Sequence, residues 1–288
     1  MEVIKSITEV MEFSQETRDK GKAIGFVPTM GYLHEGHLSL IRKAKEENDV
    51  VVVSIFVNPT QFGTNEDFNK YPKDEKGDIE KIEKEGASAV FIPDASEIYP
   101  EGFQTYVEIE ELTKNLCGIF RPTHFSGVTI IVLKLFNIIS PKRAYFGKKD
   151  YQQFRVIEQM CKDLNLDIKI TPCPIVREKD GLAMSSRNKY LTEEERKDAT
   201  ILYQALTKGK DAILYHERDA EAVIKKIKET IMSKKTLNKI DYVSIVNPYT
   251  LTNVSHIESD VLIAVAAYFG KTRLIDNIEV EINANNYA

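Results

Sequence analysis

The sequence predicts an α/β protein in which a doubly wound, mostly parallel sheet is followed by a smaller α+β domain. Between residues 24 and 170, short apolar runs alternate with amphipathic segments, as in a parallel sheet whose strands are joined by right-handed helical crossovers. After about Val176 this alternation stops, and two charged helical segments precede several strand-like runs. We therefore expect a larger domain at residues 1–176 and a smaller one at residues 177–288.

Short apolar runs in the first domain are typical of buried strands. They are residues 24–27, 49–57, 89–92, 143–146 and 168–170. The second run is rich in β-branched residues and almost wholly apolar, which favours a central strand covered by helices on both faces. Pro59 and Pro93 follow two of these runs, and proline is a residue at which a strand can end.

Helical patterns lie between these strands. Residues 38–44 and 151–164 place apolar side chains at helical spacing, and residues 74–85 form a charged segment typical of a surface helix. Ser126 is expected to cap a further helix that runs to Ile139.

The second domain begins with helices and ends with strands. Residues 193–215 and 220–234 are charged and amphipathic, which predicts two helices with solvated outer faces. Strand-like runs follow at residues 242–246, 261–268 and 273–275. Helices and strands that are segregated along the chain in this way indicate an α+β domain.

Composition argues against several classes of protein. The chain has 288 residues, is 42% hydrophobic and carries a net charge of -5, so it can build a full core and lacks the basic excess of a general nucleic-acid binder. Its apolar runs fall short of the roughly 18 residues that a membrane helix requires, and its N-terminus lacks a signal-peptide pattern. Cys117, Cys161 and Cys173 form no metal-binding pair and are expected to be reduced and buried. We therefore expect a cytoplasmic protein that binds neither nucleic acid nor membrane.

The segment at residues 28–37 leads from the first of these strands into a helix, which is where an open α/β sheet binds its ligand. Gly31 and Gly36 allow the backbone to approach a phosphate closely, and a helix start presents unpaired N–H groups. His34 and His37 could donate hydrogen bonds to a phosphoryl group as its charge grows. The alternatives are two surface histidines in a loop, or a zinc site, which is disfavoured because no third ligand lies nearby in sequence.

Further polar segments share this character. Residues 58–62 bring amides to the end of a strand, residues 121–128 bring Arg and His to a helix start, and residues 146–153 bring lysines and a glycine to another. Residues 184–188 add two hydroxyls and a guanidinium near the domain boundary. Singly, these could be an Asn-Pro turn, a capped helix and solvated loops. Together they predict one composite phosphate site, although the lysine segment is not a P-loop because the earlier glycine is missing.

These segments resemble a known family. The H-x-G-H motif with a later Met-Ser-Ser-Arg motif resembles the nucleotidylyltransferase superfamily. The Arg-Leu-Ile-Asp-Asn string at residues 273–277 resembles the ending of one of its members, the pantothenate synthetases (pantoate–β-alanine ligases). Longer strings similar to that family occur in its order along most of the chain, at residues 28–37, 58–62, 121–128, 146–153 and 184–188.

The resemblance implies an AMP-forming ligase with a Rossmann-like first domain, a smaller second domain that acts as a lid, and a homodimer. Such an enzyme joins pantoate to ATP as pantoyl-adenylate with release of pyrophosphate, and the β-alanine amine then displaces AMP to give pantothenate. The implied cofactors are ATP, which is a substrate, and Mg²⁺. No secure Mg²⁺ ligand stands out, although Asp78 is a candidate.

The resemblance also implies roles for individual residues. The catalytic groups would be His34, His37, Lys149 and Arg187, which supply charge and hydrogen-bond donors as the pantoate carboxylate attacks the α-phosphorus. ATP would be bound by Met30, Gly31, Tyr32, Leu33, His34, Glu35, Gly36, His37, Gly147, Lys148, Lys149, Asp150, Val176, Met184, Ser185, Ser186 and Arg187. Pantoate and β-alanine would be bound by Gln61, Gln153, Asn58, Tyr71, Arg121 and His124.

Other functions stay open at the level of sequence. A nucleotidylyltransferase that acts on another small acid or phosphate without ligation would release pyrophosphate but no AMP. A nucleotide-binding regulator would bind ATP without consuming it. A class I aminoacyl-tRNA synthetase is disfavoured because the chain is short and lacks an obvious basic face.

Overall fold

The computed structural model describes residues 1–64 and 66–282. The chain divides into two compact units, which are described separately. The first unit comprises Met1–Glu110, Arg121–Lys148 and Gln153–Val176. The second comprises Glu111–Phe120, Lys149–Gln152 and the described residues from Arg177 onward. Two short segments from within residues 1–176 thus belong to the second unit.

The first unit is built on a six-stranded sheet. Its strands are β1 (Glu2–Ile4), β2 (Ile24–Thr29), β3 (Val50–Ile55), β4 (Ala89–Phe91), β5 (Arg143–Gly147) and β6 (Lys169–Cys173). Every neighbouring pair is parallel, in the order β1-β4-β3-β2-β5-β6. The chain passes from β2 to β3 and β4 on one side and then crosses to β5 and β6 on the other, which confirms the predicted doubly wound sheet.

Helices lie between these strands along the chain, and three of them follow one another between β4 and β5. They are α1 (Ile7–Asp19), α2 (Glu35–Glu47), α3 (Glu75–Glu85), α4 (Ala95–Ile98), α5 (Cys117–Phe120), α6 (His124–Ile139) and α7 (Tyr151–Asp163). Helix α5 and the first two residues of α7 belong to the second unit.

Alternate residues of the central strands enter different cores, because successive side chains of a strand point to opposite faces of its sheet. Phe26 and Val52 belong to the apolar cluster that includes residues of α1, α6 and α7. Val27 and Val53 belong to the cluster that includes residues of α2 and α3. All four are fully buried. Helices on both faces therefore require the nearly continuous apolar strand that the sequence predicted at residues 49–57.

The second unit combines helices with an antiparallel sheet. Its helices after residue 176 are α8 (Glu193–Ala199), α9 (Ile201–Leu214) and α10 (Ala220–Met232), and its strands are β7 (Leu237–Val246), β8 (Val261–Phe269) and β9 (Thr272–Val280). The sheet order is β7-β8-β9, so β8 is central and nearly all of its residues are buried. Ile227 of α10 and Val265 of β8 lie in the same core cluster, and this arrangement confirms the predicted α+β pattern.

Some predicted boundaries are wrong. Helix α6 begins at His124 rather than at a Ser126 cap, because the Gly127 N–H already donates to the Thr123 carbonyl at 3.2 Å. Residues 193–215 form two helices rather than one, and they meet at Thr200, whose hydroxyl donates to the carbonyl of Lys197.

Two elements at the start of the chain were not predicted. Helix α1 carries a capping box in which the Ser6 and Glu9 side chains each accept the other residue's backbone N–H. Strand β1 spans three residues at the sheet edge, which is too short to produce a clear periodic pattern.

The cysteines are free and buried, as predicted. Burial raises the pKa of the Cys161 and Cys173 thiols to about 11, so both stay protonated and weakly reactive near neutral pH. Across residues 1–64 and 66–282, no helix is both long enough and apolar enough to cross a bilayer.

Candidate active site

The carboxyl ends of β3, β2 and β5 lie side by side, because these strands are neighbours in one parallel sheet. The strand order reverses between β2 and β5, and such a switch point is where an open α/β sheet binds its ligand. The segments that follow β2, β3 and β5 all contain residues picked out from the sequence. The fold therefore brings residues of three separate sequence motifs to one edge of the sheet, the third being represented by residues 146–148 of the first unit.

The turn after β2 is held by Asp78 of α3. Gly31 and Tyr32 have left-handed φ angles of 81° and 52°. The two carboxylate oxygens of Asp78 accept the N–H groups of Tyr32 and Leu33 at 2.6 and 2.7 Å. A Cβ at position 31 would lie 3.0 Å from Ile55 and 3.1 Å from Asp78, so both the φ angle and the close packing favour glycine. Asp78, the candidate Mg²⁺ ligand, thus uses both oxygens to fix the predicted ATP-binding turn.

His34 caps α2 and its ring contacts that of His37, with centroids 4.1 Å apart and planes tilted by 38°. The Nδ1 of His34 accepts the Gly36 N–H at 3.1 Å, and the Nδ1 of His37 accepts the His34 N–H at 3.3 Å. An Nδ1 that accepts a hydrogen bond carries no proton, so each neutral ring holds its proton on Nε2. Both rings therefore carry an Nε2–H at a helix start, where the backbone also carries partial positive charge.

Gln61 follows β3 and is held at both ends of its amide. Its Nε2 donates to the Met30 sulfur at 3.1 Å, and its Oε1 accepts from Asn58 Nδ2 at 3.1 Å. The structure thus brings together one predicted ATP-binding residue and two predicted pantoate-binding residues. Gln61 itself is 8% exposed, so its orientation depends on these contacts.

Asn58 is 1% exposed and has protein partners at every position of its amide. Besides its bond to Gln61, Nδ2 donates to the Gly127 carbonyl at 2.9 Å. Its Oδ1 accepts from the hydroxyls of Thr60 and Tyr99 at 2.9 and 2.8 Å. The amide of Asn58 therefore links the segment after β3 to α6 by hydrogen bonds.

Arg121 and His124 hold the backbone of Gln61. The Nη2 of Arg121 donates to the Gln61 carbonyl oxygen at 3.2 Å, and His124 Nδ1 donates to it at 3.0 Å. Arg121 also forms a two-pronged ion pair with Glu66, with N···O distances of 2.6 and 2.5 Å. Burial acts to raise the pKa of the Glu66 carboxyl, but the hydrogen bonds and charge of Arg121 outweigh it, so this pKa lies below its usual value.

Helix α6 approaches the turn before Gln61 at a glycine. A Cβ at Gly127 would lie 2.4 Å from the Thr60 carbonyl oxygen and 2.5 Å from the Gln61 nitrogen. Only a residue without a side chain fits between these two backbones. Gly127, the glycine of the segment at residues 121–128, therefore allows α6 to pack closely against the backbone of Thr60 and Gln61.

The aromatic residues of the same loop pack on one another. Phe62 lies edge-on against Tyr71 and Phe68, with ring centroids 6.0 and 5.4 Å apart. Tyr71 is 7% exposed, so most of its ring serves to pack this loop.

The other predicted residues of the first unit vary in exposure. Gly147 ends β5, and a Cβ there would meet no atom within 4 Å, so the space beside this strand end is open. Lys148, Gln153 and Val176 are half-buried. Glu35 lies in the first turn of α2, is exposed and forms an ion pair with Arg42.

In the second unit, Lys149 and Asp150 precede α7. The Lys149 side chain is 20% exposed, and its Nζ lies 3.6 Å from Asp150 Oδ2. The Lys149 carbonyl accepts from Asn277 Nδ2 at 2.9 Å. Gln152 ties the same segment to the α5 region through the Leu112 and Asn115 carbonyls and the Cys117 N–H.

Ser185, Ser186 and Arg187 lie on a short turn of the second unit. Ser185 caps the 3₁₀ turn Ser186–Tyr190, and its Oγ accepts the Arg187 N–H at 3.3 Å. Ser186 is 6% exposed, whereas Met184 and Arg187 are half-buried. The fold of this unit thus keeps the predicted serines and arginine on one ordered loop.

Sequence reasoning missed the residues that fix these segments. Asp78 and Glu66 act on partners far away in the chain, and neither role follows from local pattern. One signal was available for Asp78: it stands four residues before Ile82 on α3, so the two share a helix face, and both are buried. An acid on the apolar face of a helix indicates a buried partner.

Comparison with known proteins identifies the family. Residues 2–279 match the family model described as pantoate-beta-alanine ligase. The pantothenate synthetase of Thermotoga neapolitana is 58% identical over 280 residues, which are 96% of this chain and 99% of its own. That of Caldicellulosiruptor bescii is 54% identical over 281 residues, which are 98% of this chain and 99% of its own.

Solved structures agree. The pantothenate synthetase of Thermus thermophilus has a TM-score of 0.92 at 40% identity and covers 98% of this chain and 100% of its own. The pantoate-beta-alanine ligase of Francisella tularensis, solved as a complex with beta-gamma ATP and beta-alanine, has a TM-score of 0.79 at 38% identity and covers 96% of this chain and 97% of its own. From the whole-length sequence matches and the shared fold we conclude that this chain belongs to the pantoate–β-alanine ligase family.

Proposed function

We propose that this chain condenses pantoate with β-alanine to give pantothenate, with cleavage of ATP to AMP and pyrophosphate. In the first step a carboxylate oxygen of pantoate bonds to the α-phosphorus, the bond to the β-phosphate oxygen breaks, and pyrophosphate leaves. In the second step the β-alanine amine bonds to the acyl carbon of pantoyl-adenylate. The acyl C–O bond then breaks, AMP leaves, and the nitrogen loses its extra proton.

The observation that carries this proposal is that the Nδ1 of His34 and of His37 each accepts a backbone N–H, which leaves the ring proton on Nε2 at a helix start. An anionic carboxylate must approach an anionic phosphate, so the site must supply donors where negative charge accumulates. Two imidazole N–H groups at a helix N-terminus meet this need. A histidine that binds a metal usually donates its second ring N–H to a partner, which is the opposite of the pattern here. The hydrogen bonds therefore favour phosphate binding over zinc.

We assign Gln61 and Gln153 to the binding of pantoate. A neutral amide can hold the hydroxyls and carboxylate of pantoate without a salt bridge that would weaken the nucleophile. Asn58, Arg121 and His124 then act as positioning residues, since their hydrogen bonds fix the backbone and amide of Gln61. Tyr71 keeps a packing role in the same loop.

On the nucleotide side, we assign Lys149 and Arg187 to the phosphates, with hydroxyl donors from Ser185 and Ser186. Asp150 is assigned to the ribose hydroxyls. The remaining nucleotide contacts are assigned to Met30, Gly31, Tyr32, Leu33, Glu35, Gly36, Gly147, Lys148, Val176 and Met184. Lys149→Ala is expected to lower the rate of pyrophosphate release by roughly 10²–10³, the usual loss for one preorganised donor.

Mg²⁺ would accompany ATP. Within the described part of the chain, no group of three or more His, Cys, Asp or Glu residues could hold a metal ion. This fits a cation that keeps several waters and binds mainly through substrate phosphates, with at most one or two carboxylates. When bound, it would neutralise phosphate charge.

We further propose a cytoplasmic homodimer, since the family resemblance implies one and the buried, free cysteines suit a reducing compartment. Sedimentation equilibrium at micromolar concentration tests the assembly: a mass of one chain would contradict the dimer.

The experiment that tests the reaction follows ATP, pyrophosphate and AMP with Mg²⁺ present, while pantoate and β-alanine are supplied together and omitted in turn. We expect AMP only with both acids, and exchange of labelled pyrophosphate into ATP with pantoate alone. Pyrophosphate release without AMP in the presence of both acids would identify a nucleotidylyltransferase without ligation. No turnover with any combination would contradict the proposed function.

A further inference from the structure

We infer that Asp276 and Asn277, adjacent residues of β9, are positioning residues that hold the two segments of the second unit assigned to ATP phosphates. The first segment contains Lys149, and the second contains Ser185 and Arg187. The inference rests on the proposed function of those segments. It gives a role to two residues of the Arg-Leu-Ile-Asp-Asn motif at residues 273–277. The proposed reaction assigns no role to this motif.

Asn277 acts on the first segment. Its Nδ2 donates to the Lys149 carbonyl oxygen at 2.9 Å, and the residue is 5% exposed. Two residues further along β9, Glu279 Oε1 lies 3.3 Å from the Tyr151 hydroxyl. Strand β9 therefore fixes the backbone at the start of α7. It thereby fixes the position of the Lys149 Cα, from which the side chain extends.

Asp276 acts on the second segment through Arg177. Its carboxylate accepts two hydrogen bonds from the Arg177 guanidinium, at 2.6 and 2.9 Å. The Asp276 side chain is 1% exposed and the Arg177 side chain 17%, so the pair is largely shielded from water. The guanidinium also lies over the Tyr203 ring, 3.9 Å from its centroid. A planar arginine held on its edge and on its face has little freedom to move.

Arg177 begins a tight hairpin that leads into residues 184–187, which we call the serine loop. It forms an antiparallel bridge with Ala183, and its Nη1 donates to the Gly181 carbonyl at 3.1 Å. Inside the hairpin, the Glu178 N–H donates to the Leu182 carbonyl at 2.8 Å.

The serine loop is closed back onto the end of this hairpin. Asn188 Nδ2 donates to the Ala183 carbonyl at 3.1 Å. Residues 184–187 are therefore bounded on both sides by groups whose positions depend on Arg177, and so on Asp276.

The two anchors are linked to each other. The Asn277 N–H donates to Asp276 Oδ1 at 2.8 Å, so one carboxylate orients both the arginine and the neighbouring backbone. Catalytic donors must be held within about 0.5 Å of their productive positions. One dipeptide thus sets the relative placement of two segments that are far apart in sequence.

The test compares Asn277→Ala and Asp276→Asn with matched controls in the same sheet. Asn238 also donates from Nδ2 to a backbone carbonyl, that of Gly270, at 3.0 Å. Asp241 is also a buried carboxylate, 2% exposed, and pairs with Arg273 at 2.8 Å. The controls are therefore Asn238→Ala and Asp241→Asn. Arg177→Lys keeps the positive charge but cannot donate two parallel hydrogen bonds to the Asp276 carboxylate. It replaces Asp276→Asn in the test if that variant does not fold.

Activity is read as pantoate-dependent pyrophosphate release. We expect Asn277→Ala to lower kcat by roughly 10- to 100-fold, the range for a catalytic group displaced by up to 1 Å. In a Lys149→Ala background the same substitution should change kcat by less than about twofold, because Asn277 acts through Lys149. Asp276→Asn should likewise lose its effect in an Arg187→Ala background. Equal losses in both backgrounds would overturn the inference.

Hydrogen exchange without substrates provides the second measurement. We expect faster amide exchange in residues 148–152 for Asn277→Ala and in residues 178–188 for Asp276→Asn, while the controls leave both segments unchanged. Unchanged exchange in the two variants would overturn the inference. If the wild-type protein forms no AMP, the proposed function fails, and exchange alone then decides whether Asp276 and Asn277 position these segments.

Discussion

The rings of His34 and His37 lie in contact with centroids 4.1 Å apart and planes tilted by 38°, and the Nδ1 of each accepts a backbone N–H. One nitrogen of each ring thus accepts a hydrogen bond at the helix start, while the other carries the ring proton. Because the two nitrogens have separate tasks, substitutions can remove one task at a time.

The first prediction separates these tasks at His37. In His37→Asn the side-chain oxygen can take the place of Nδ1, but no group reaches the position of Nε2. We expect a normal melting temperature and a loss of roughly 10²–10³ in the rate of pyrophosphate release.

In His37→Gln the amide N–H can approach the Nε2 position, but the acceptor for the His34 N–H is lost. This variant should retain more activity and lose about 0.5–2 kcal/mol of stability, the usual cost of a lost cap. The reverse ranking of activities would contradict the assignment.

The second prediction concerns Gln153. Gln153→Ala is expected to raise the KM for pantoate at least roughly tenfold and to change the KM for ATP little, because a site built to hydrogen-bond a substrate loses that partner. Gln159 lies on the same helix and is bonded to Asp163 on the exposed surface, so Gln159→Ala is the matched control. Equal changes in both KM values would remove Gln153 from the pantoate site.

The third prediction concerns Gly127. A Cβ there would lie 2.4 Å from the Thr60 carbonyl oxygen, so Gly127→Ala must push the turn that carries Gln61. We expect a loss of about 1–3 kcal/mol in the free energy of unfolding, together with a raised KM for pantoate. In Gly63→Ala the new Cβ would be 3.7 Å from its nearest neighbour, and this control should keep both quantities near wild type. A fully stable, fully active Gly127→Ala would show that the close approach is not required.

The fourth prediction concerns pH. Arg121 holds the pKa of Glu66 below its usual value, so the unfolded chain binds the proton first as pH falls. The contribution of Glu66 to stability is therefore fully present above the usual carboxyl pKa of about 4.3 and is lost as pH falls through the lower, folded pKa. At pH 7, Glu66→Gln should cost about 1–2 kcal/mol, between the values for exposed and buried pairs.

Urea unfolding at several values between about pH 3 and pH 7 measures this contribution. The difference between wild type and Glu66→Gln should stay constant down to about pH 5 and shrink below that. In an Arg121→Gln background this pH dependence should be lost or reversed, since burial then raises the pKa of Glu66 with no guanidinium beside it. With Arg121 in place, a difference that grows as the solution becomes more acidic would contradict the pairing.

Local sequence patterns were sufficient for most elements of the fold. The apolar run at residues 49–57 became the buried central strand β3, and Asp74 and Gly86 mark the cap positions of α3 as expected for these residue types. Patterns failed where the signal was short or ambiguous, as with strand β1 and with Ser126, which lies inside α6 rather than at its cap. Caps and periodicity depend on residues a few positions apart, which is why a sequence can carry them.

The order of the polar motifs along the chain was sufficient to predict the family, and with it the reaction. It also named the segments that the parallel sheet brings to one edge. The motifs did not reveal how each segment is held. The predicted contacts of Asn58, Arg121 and His124 with substrate remain predictions, and what the structure adds is their hydrogen bonds to Gln61.

Those supporting contacts were decided by tertiary structure alone. Asp78 binds the turn at Tyr32 from 46 positions away, Arg121 reaches Gln61 across 60, and Asn277 reaches Lys149 across 128. The sequence determined which residues form strands, helices and polar motifs, because periodicity, caps and turn residues are local properties of the chain. Hydrogen bonds over such separations depend on where packing places each backbone, and no local pattern encodes that placement.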